Sequence, residues 1–162
     1  MSEGDLLARL SEPFALDDIQ WRVQQCEIYG SRIVCRVLAY LTNRAVMERL
    51  DTVVGVDNWQ NTKMEIITIT PNLVAIQIGI SIRIGGEWIT KYDVSEPTHI
   101  EAVKGGFSGA MKRAGVQWGI GRYLYHLPAA DAEAVYRADG DWPGGAGWRK
   151  HKMKNQAGFV FW

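Results

Sequence analysis

The chain has 162 residues, enough for about one domain with a substantial core. Hydrophobic residues make up 47% and charged residues 22%, and there is no run of roughly 18 apolar residues, which excludes a disordered chain and a membrane-spanning helix. The formal net charge is +0, an argument against a nucleic-acid binder, yet residues 1–98 hold 9 basic and 13 acidic groups (net −4) while residues 99–162 hold 9 and 5 (net +4), so a local basic stripe is allowed.

In chain order, the acidic start Met1–Asp5 lacks an apolar secretory segment, which leads to the expectation of a cytoplasmic protein. Residues 3–10 (EGDLLARL) form a short amphipathic helix stopped near Pro13. Residues 19–28 and 32–41 read as two strands joined by Gly30-Ser31. In the first, Ile19, Trp21 and Val23 share a core-facing side, and Arg22, Gln24 and Cys26 share the other. Cys26 and Cys35 are possible cross-strand neighbours, but a cytoplasmic setting favours two reduced, packed thiols over a disulfide. Two cysteines and three scattered histidines give no zinc spacing.

Thr42 or Asn43 caps a helix over about 44–54, whose apolar positions Val46, Met47, Leu50, Val53 and Val54 recur at spacings of three and four, ending at Gly55. Residues 59–70, 73–84 and 87–94 then read as three strands. The middle one, LVAIQIGISIRI, alternates Val74, Ile76, Ile78, Ile80, Ile82 and Ile84 with small or polar residues, as a half-buried antiparallel strand does. Pro71-Asn72 and Gly85-Gly86 are its turns, so the three strands form a meander. A long helix spans about 99–117, with Thr98 as N-cap and Glu101 at capping-box spacing, and GRYLYHL adds a short helical piece before Pro128. The fold expected is α+β, in the order β-β-α-β-β-β-α: a curved antiparallel sheet, made of a hairpin and a three-stranded meander, packed on the long helix. The core covers residues 1–128. Residues 129–162 form an extension without clear secondary structure, with a basic cluster at Arg149–Lys154 that is either a DNA-contacting tail or a solvated run. The apolar end Phe159–Trp162 is what a truncated core would show.

The long helix carries the chemistry. On a wheel, Ile100, Val103, Phe107, Met111, Ala114 and Trp118 form a core stripe, while Gly105, Gly109, Lys112 and Arg113 lie opposite, with Ser108 beside them. A glycine inside a helix costs about 1 kcal/mol relative to alanine. Gly105, Gly106 and Gly109 therefore imply close approach of something large, either another protein element or a sugar-phosphate backbone. In the second case Lys112 and Arg113 supply charge for sequence-independent backbone recognition. Arg22 and Arg36 lie on strand faces, where solvation or a pair with Glu27 is an alternative, and Lys104 and Arg122 border the apolar stripe and can snorkel. Seven tryptophans and six tyrosines invite base stacking, but core packing is the simpler account of Trp21, Trp118, Tyr123 and Tyr125.

No GxxxxGK[ST], GxSxG, HExxH or paired CxxC motif is present, which removes the familiar ATP-binding and hydrolytic signatures. Asp93, Glu101 and Lys104 make a loose D…ExxK series, the nearest approach to a metal-dependent nuclease, but the spacing is off and Glu101 serves better as a helix cap.

The stretch Glu101–Ala114 (EAVKGGFSGAMKRA), followed by Trp118–Tyr125 (WGIGRYLY), resembles the signature helix of the Rad52/22 family of single-strand annealing proteins. Upstream, Arg44–Asp51 (RAVMERLD) with Gly55–Trp59 (GVDNW) is similar to that family's first helix and its exit into the meander. The resemblance covers about residues 6–128 and is closer to the phage and bacterial DNA-damage-response (DdrA) branches than to the eukaryotic one. It implies a non-enzymatic protein in a bacterial or phage-infected cell, associated with the nucleoid. Its subunits would assemble side by side into a homo-oligomeric ring that binds single-stranded DNA, with no nucleotide or metal cofactor. It places Lys112 and Arg113 in the deep DNA groove, with Arg22 facing the same groove. Where the family has a further basic residue one turn on, this chain has Val116, for which Arg36 or Arg122 would have to substitute. Arg83, near the hairpin, matches an outer DNA site. Annealing itself needs only neutralised phosphates and exposed bases, because base pairing supplies the free energy. Protection of 3′ ends with little annealing is the second reading. A neutral chain should rely on a local groove and on assembly, so an isolated subunit should bind poorly.

Overall fold

The computed structural model describes residues 3–29, 32–97, 102–128, 130–137, 150–152 and 159–161. In chain order the elements are α1 (Glu3–Ser11), β1 (Ile19–Tyr29), β2 (Arg32–Leu41), α2 (Asn43–Val54), β3 (Trp59–Thr70), β4 (Leu73–Ile84), β5 (Glu87–Ser95), α3 (Ala102–Gln117), β6 (Ala130–Arg137), β7 (Lys150–Lys152) and β8 (Phe159–Phe161). Short 3-10 turns occupy Leu16–Asp18, Val56–Asn58 and Arg122–His126. The chain is thus α+β with antiparallel pairing. The expected single sheet is two: a three-stranded sheet β3-β4-β5 and a five-stranded sheet β1-β2-β6-β8-β7. The hairpin β1–β2 joins the C-terminal strands rather than the meander. Residues 33–37 pair with 134–130, from Ile33↔Ala134 to Val37↔Ala130. The β6 segment ADAEAVYR is rich in alanine and acid, poor strand formers, so its pairing partner decides its state more than its own preference does.

The chain divides into two compact units, residues 1–20 with 41–126 and residues 21–40 with 127–162. The core of the first gathers Leu6, Leu10, Leu41, Val46, Leu50, Ile78, Ile80, Ile82, Ala110, Met111, Ala114, Trp118 and Ile120. The β4 alternation puts its isoleucines into this core, and the Trp118 indole N–H donates to the Ile80 carbonyl at 2.9 Å. Thr42 caps α2, its hydroxyl accepting from the Ala45 N–H at 3.2 Å, and Gly55 at φ 85° ends the helix. Tyr123 packs as expected, its hydroxyl accepting from the Phe14 N–H at 3.0 Å, whereas Tyr125 is exposed.

Two of the α3 glycines, Gly106 and Gly109, are explained by the sheet. A Cβ on Gly106 would strike the Ile76 side chain, and one on Gly109 would strike Ser95, so these positions let α3 lie close upon β4 and β5. Gly109 therefore belongs to the protein-facing side and not to a cleared solvent face. Val103, expected in the core stripe, is exposed in the first turn. The α3 start expected at Thr98, His99 and Glu101 lies outside the described residues.

In the second unit, Cys35 and Val37 are buried. Cys26 and Cys35 are joined as a disulfide, with Cα atoms 4.2 Å apart, where reduced thiols are the expectation from composition. The hairpin is the physical reason: β1 and β2 are adjacent and set the two side chains opposite one another. Trp21, expected in the core, is 37% exposed. Alternation assigns a residue to a strand face but does not say what covers that face.

Candidate nucleic-acid interface

The C-terminal half of α3 lies along β5, the terminal strand of the three-stranded sheet. Arg113, half exposed, donates from Nε to Asp93 Oδ1 at 2.9 Å. Asp93 also accepts from the Val94 N–H at 2.7 Å and from Gln117 Nε2 at 3.3 Å. Partial burial pushes the Asp93 carboxyl up, but the hydrogen bonds from Val94, Arg113 and Gln117 and the Arg113 charge outweigh it and hold the carboxyl below its ordinary value. Gln117 Nε2 reaches the Tyr92 carbonyl at 2.7 Å, and Lys91 Nζ donates to the Gln117 carbonyl at 3.1 Å while lying 4.3 Å from the Trp118 ring centroid. These contacts orient Arg113 at the open edge of the sheet, with Lys112, half-buried, as its neighbour on the helix.

The other predicted cations separate by place. Lys104 is exposed two turns towards the N-terminus of α3. Arg122 is spent on helix capping: its Nε donates to the Val116 carbonyl at 3.0 Å and its Nη2 to the Gln117 carbonyl at 2.8 Å. Arg83 is exposed near the β4–β5 turn, opposite Trp88 in register. It therefore stands on the sheet face away from α3. Arg22 and Arg36 belong to the second unit. Arg22 is exposed and forms no ion pair with any described residue, whereas Arg36 faces Asp131 at 3.5 Å, both side chains being more than half exposed. Only Lys112 and Arg113, among the seven, share one short stretch of one element.

Sequence reasoning missed the counter-ion. Asp93 enters it as part of a loose nuclease series, yet its carboxylate is occupied by Arg113, Gln117 and a backbone N–H. The alternation of β5 carries the missing signal, since Lys91 and Asp93 pair in register with Ile80 and Ile78 and so share their face. Among the described residues no group of three or more His, Cys, Asp or Glu is placed to hold a metal ion, and no helix is long and apolar enough to cross a membrane.

An antiparallel three-stranded meander with a glycine-bearing helix seated on it is the arrangement expected from the sequence for this part of the chain. The chain belongs to the Rad52/22 family of double-strand break repair proteins, whose family model matches residues 2–142. It is similar to the single-stranded DNA-binding protein DdrA of Deinococcus radiodurans, with 34% identity over 130 residues, 79% of this chain and 58% of that relative. The DdrA protein of Deinococcus deserti is 32% identical over 130 residues, 79% of this chain and 60% of the relative. The chain thus spans about three fifths of the length of the relatives it matches.

Proposed function

We propose that this protein binds single-stranded DNA and promotes annealing of complementary strands in recombinational repair, without ATP, as a subunit of a homo-oligomeric ring in the cytoplasm of a bacterial or phage-infected cell. The observation that carries the reading is the Lys112–Arg113 pair on α3, in a chain of the Rad52/22 family whose relatives are named for single-stranded DNA binding. The two cations neutralise phosphates of a strand passing the α3–β5 edge. Arg22, exposed on β1 of the second unit, is a further candidate phosphate contact in its own right, as are Lys104, Arg36 and Arg83. Neutralised phosphates reduce repulsion between strands, and pairing drives the reaction, so the protein needs no catalytic group. Protection of single-stranded 3′ ends with little annealing is the second reading, equally compatible with relatives named for single-stranded DNA binding.

The test is the double variant Lys112→Ala with Arg113→Ala, measured by fluorescence anisotropy on an oligo-dT strand and by light scattering. Tight binding should be lost while the oligomer persists, and the log-log salt slope of the residual binding should fall by about 0.7 per lost contact. A variant that binds as well as wild type removes the assignment. Mixing complementary oligonucleotides without nucleotide then separates annealing from end protection.

A further inference from the structure

Strand β5 has two faces, and α3 uses one of them. Lys91 and Asp93 face the helix, as their bonds with Gln117 and Arg113 show. The alternate residues Trp88, Thr90, Tyr92 and Val94 therefore stand on the opposite face, in register with Arg83, Ser81, Gly79 and Gln77 of β4. The floor of that face is small and polar. Ser81 is buried, its hydroxyl lying 3.0 Å from Thr62 Oγ1 and 2.7 Å from Thr90 Oγ1. Gly79 leaves no space for a larger residue, because a Cβ there would come within 2.8 Å of Thr62 Oγ1 and 2.9 Å of Thr90 Cγ2. Beside this floor, along β5, stand two large rings in solvent: Trp88 is 45% exposed and Tyr92 is 51% exposed, with Val94 at 41%.

Two exposed rings beside the half-buried Thr62 and Thr90 hydroxyls and Gln77 amide, with the Arg83 guanidinium opposite one of them, suit flat polar partners better than an apolar protein surface. Bases meet that description: they have π-faces for the rings and hydrogen-bonding edges for the hydroxyls and amide. The core of a subunit interface is, by contrast, mainly apolar. Position supplies the second argument. Tyr92 is the immediate neighbour of Asp93, the residue that holds Arg113, and its carbonyl is held by Gln117 of α3. Because β5 ends its sheet among the described residues, no further described strand of that sheet lies between Arg113 at the edge and Tyr92 on the outer face. Trp88 lies four residues from Tyr92, about 13 Å along an extended strand, a span for two or more nucleotides.

We propose that Tyr92 and Trp88 form a base-stacking extension of the α3 site: a single DNA strand whose phosphates meet Arg113 turns over the β5 edge and lays its bases on the outer face of the meander. The proposal rests on the single-strand-binding reading and adds to it a contact of different physics, independent of salt. It is tested with the full chain, using an oligo-dT strand and the same strand with abasic sites, on wild type, on Trp88→Ala with Tyr92→Ala, and on Trp88→Phe with Tyr92→Phe. Wild type should prefer the intact strand by on the order of tenfold per ring engaged. The alanine pair should lose that preference while keeping the salt slope and the particle size of wild type, and the phenylalanine pair should retain most of the preference. Equal binding of both strands by wild type, or a preference that survives the alanine pair, overturns the proposal. So does an alanine pair that changes only the particle size, which would assign the face to a second copy of the chain. Wild type that binds neither strand overturns the single-strand-binding reading itself, a result distinct from either of these.

Discussion

With a phosphate on Arg113 as proposed, Asp93 would compete with it for the guanidinium, and neutralising Asp93 should tighten binding. In Asp93→Asn the amide oxygen still accepts from the Val94 N–H, so the local fold is retained, while one negative charge 2.9 Å from Arg113 Nε is removed. A phosphate on the outward side of the guanidinium would lie roughly 6 Å from that carboxylate. Two unit charges at that distance repel by about 0.7 kcal/mol in bulk water and about 3 kcal/mol at an effective dielectric constant of 20. Arg113 is half exposed, which favours the lower part of that range, about 1 kcal/mol or fivefold in affinity. Anisotropy titrations of an oligo-dT strand at low salt should show this gain, and it should shrink as salt screens the pair. Stability moves the other way. The Asp93 carboxyl is held below its ordinary value, so its contribution is present above the unfolded-state value and lost as pH falls through the folded one. The Asn variant should be slightly less stable at neutral pH and should lack that part of the acid-side decline. A folded variant that binds no tighter than wild type would show that no phosphate meets Arg113.

Three further outcomes test the fold beneath the site. Gly106→Ala gains helix propensity but drives a methyl into Ile76, and the clash should win, lowering stability by about 1 kcal/mol and the thermal midpoint by about 2–4 °C; adding Ile76→Val should recover most of it. Trp118→Phe leaves the Ile80 carbonyl without its buried donor and should cost about 1–3 kcal/mol, seen as a lower urea midpoint at unchanged slope. Non-reducing peptide mapping should recover Cys26 linked to Cys35, and reduction should cost about 2–3 kcal/mol by the loop-entropy estimate for a separation of 9 residues.

The elements of the first unit are legible because their determinants are local. Alternation in LVAIQIGISIRI depends on successive side chains of one strand, and the Thr42 cap depends on residues three apart. The sheet partition is not legible in this way. β6 has weak strand character of its own, and its register with β2 joins residues about a hundred positions apart.

For the site, sequence by itself selects Lys112 and Arg113, through their place on the signature helix and the family motifs around them. What it leaves open is which way the glycines face, because helical periodicity is the same for a helix packed on a sheet and for one open to a phosphate backbone. Tertiary structure decides that by setting Ile76 under Gly106 and Ser95 under Gly109. It also sets Asp93 against Arg113, twenty residues away in sequence, and leaves Trp88 and Tyr92 on the outer face of β5. Local pattern determines which elements form and which of their sides are apolar. Charge pairing and exposure depend on distances between elements, and those exist only once the helix has docked on its sheet.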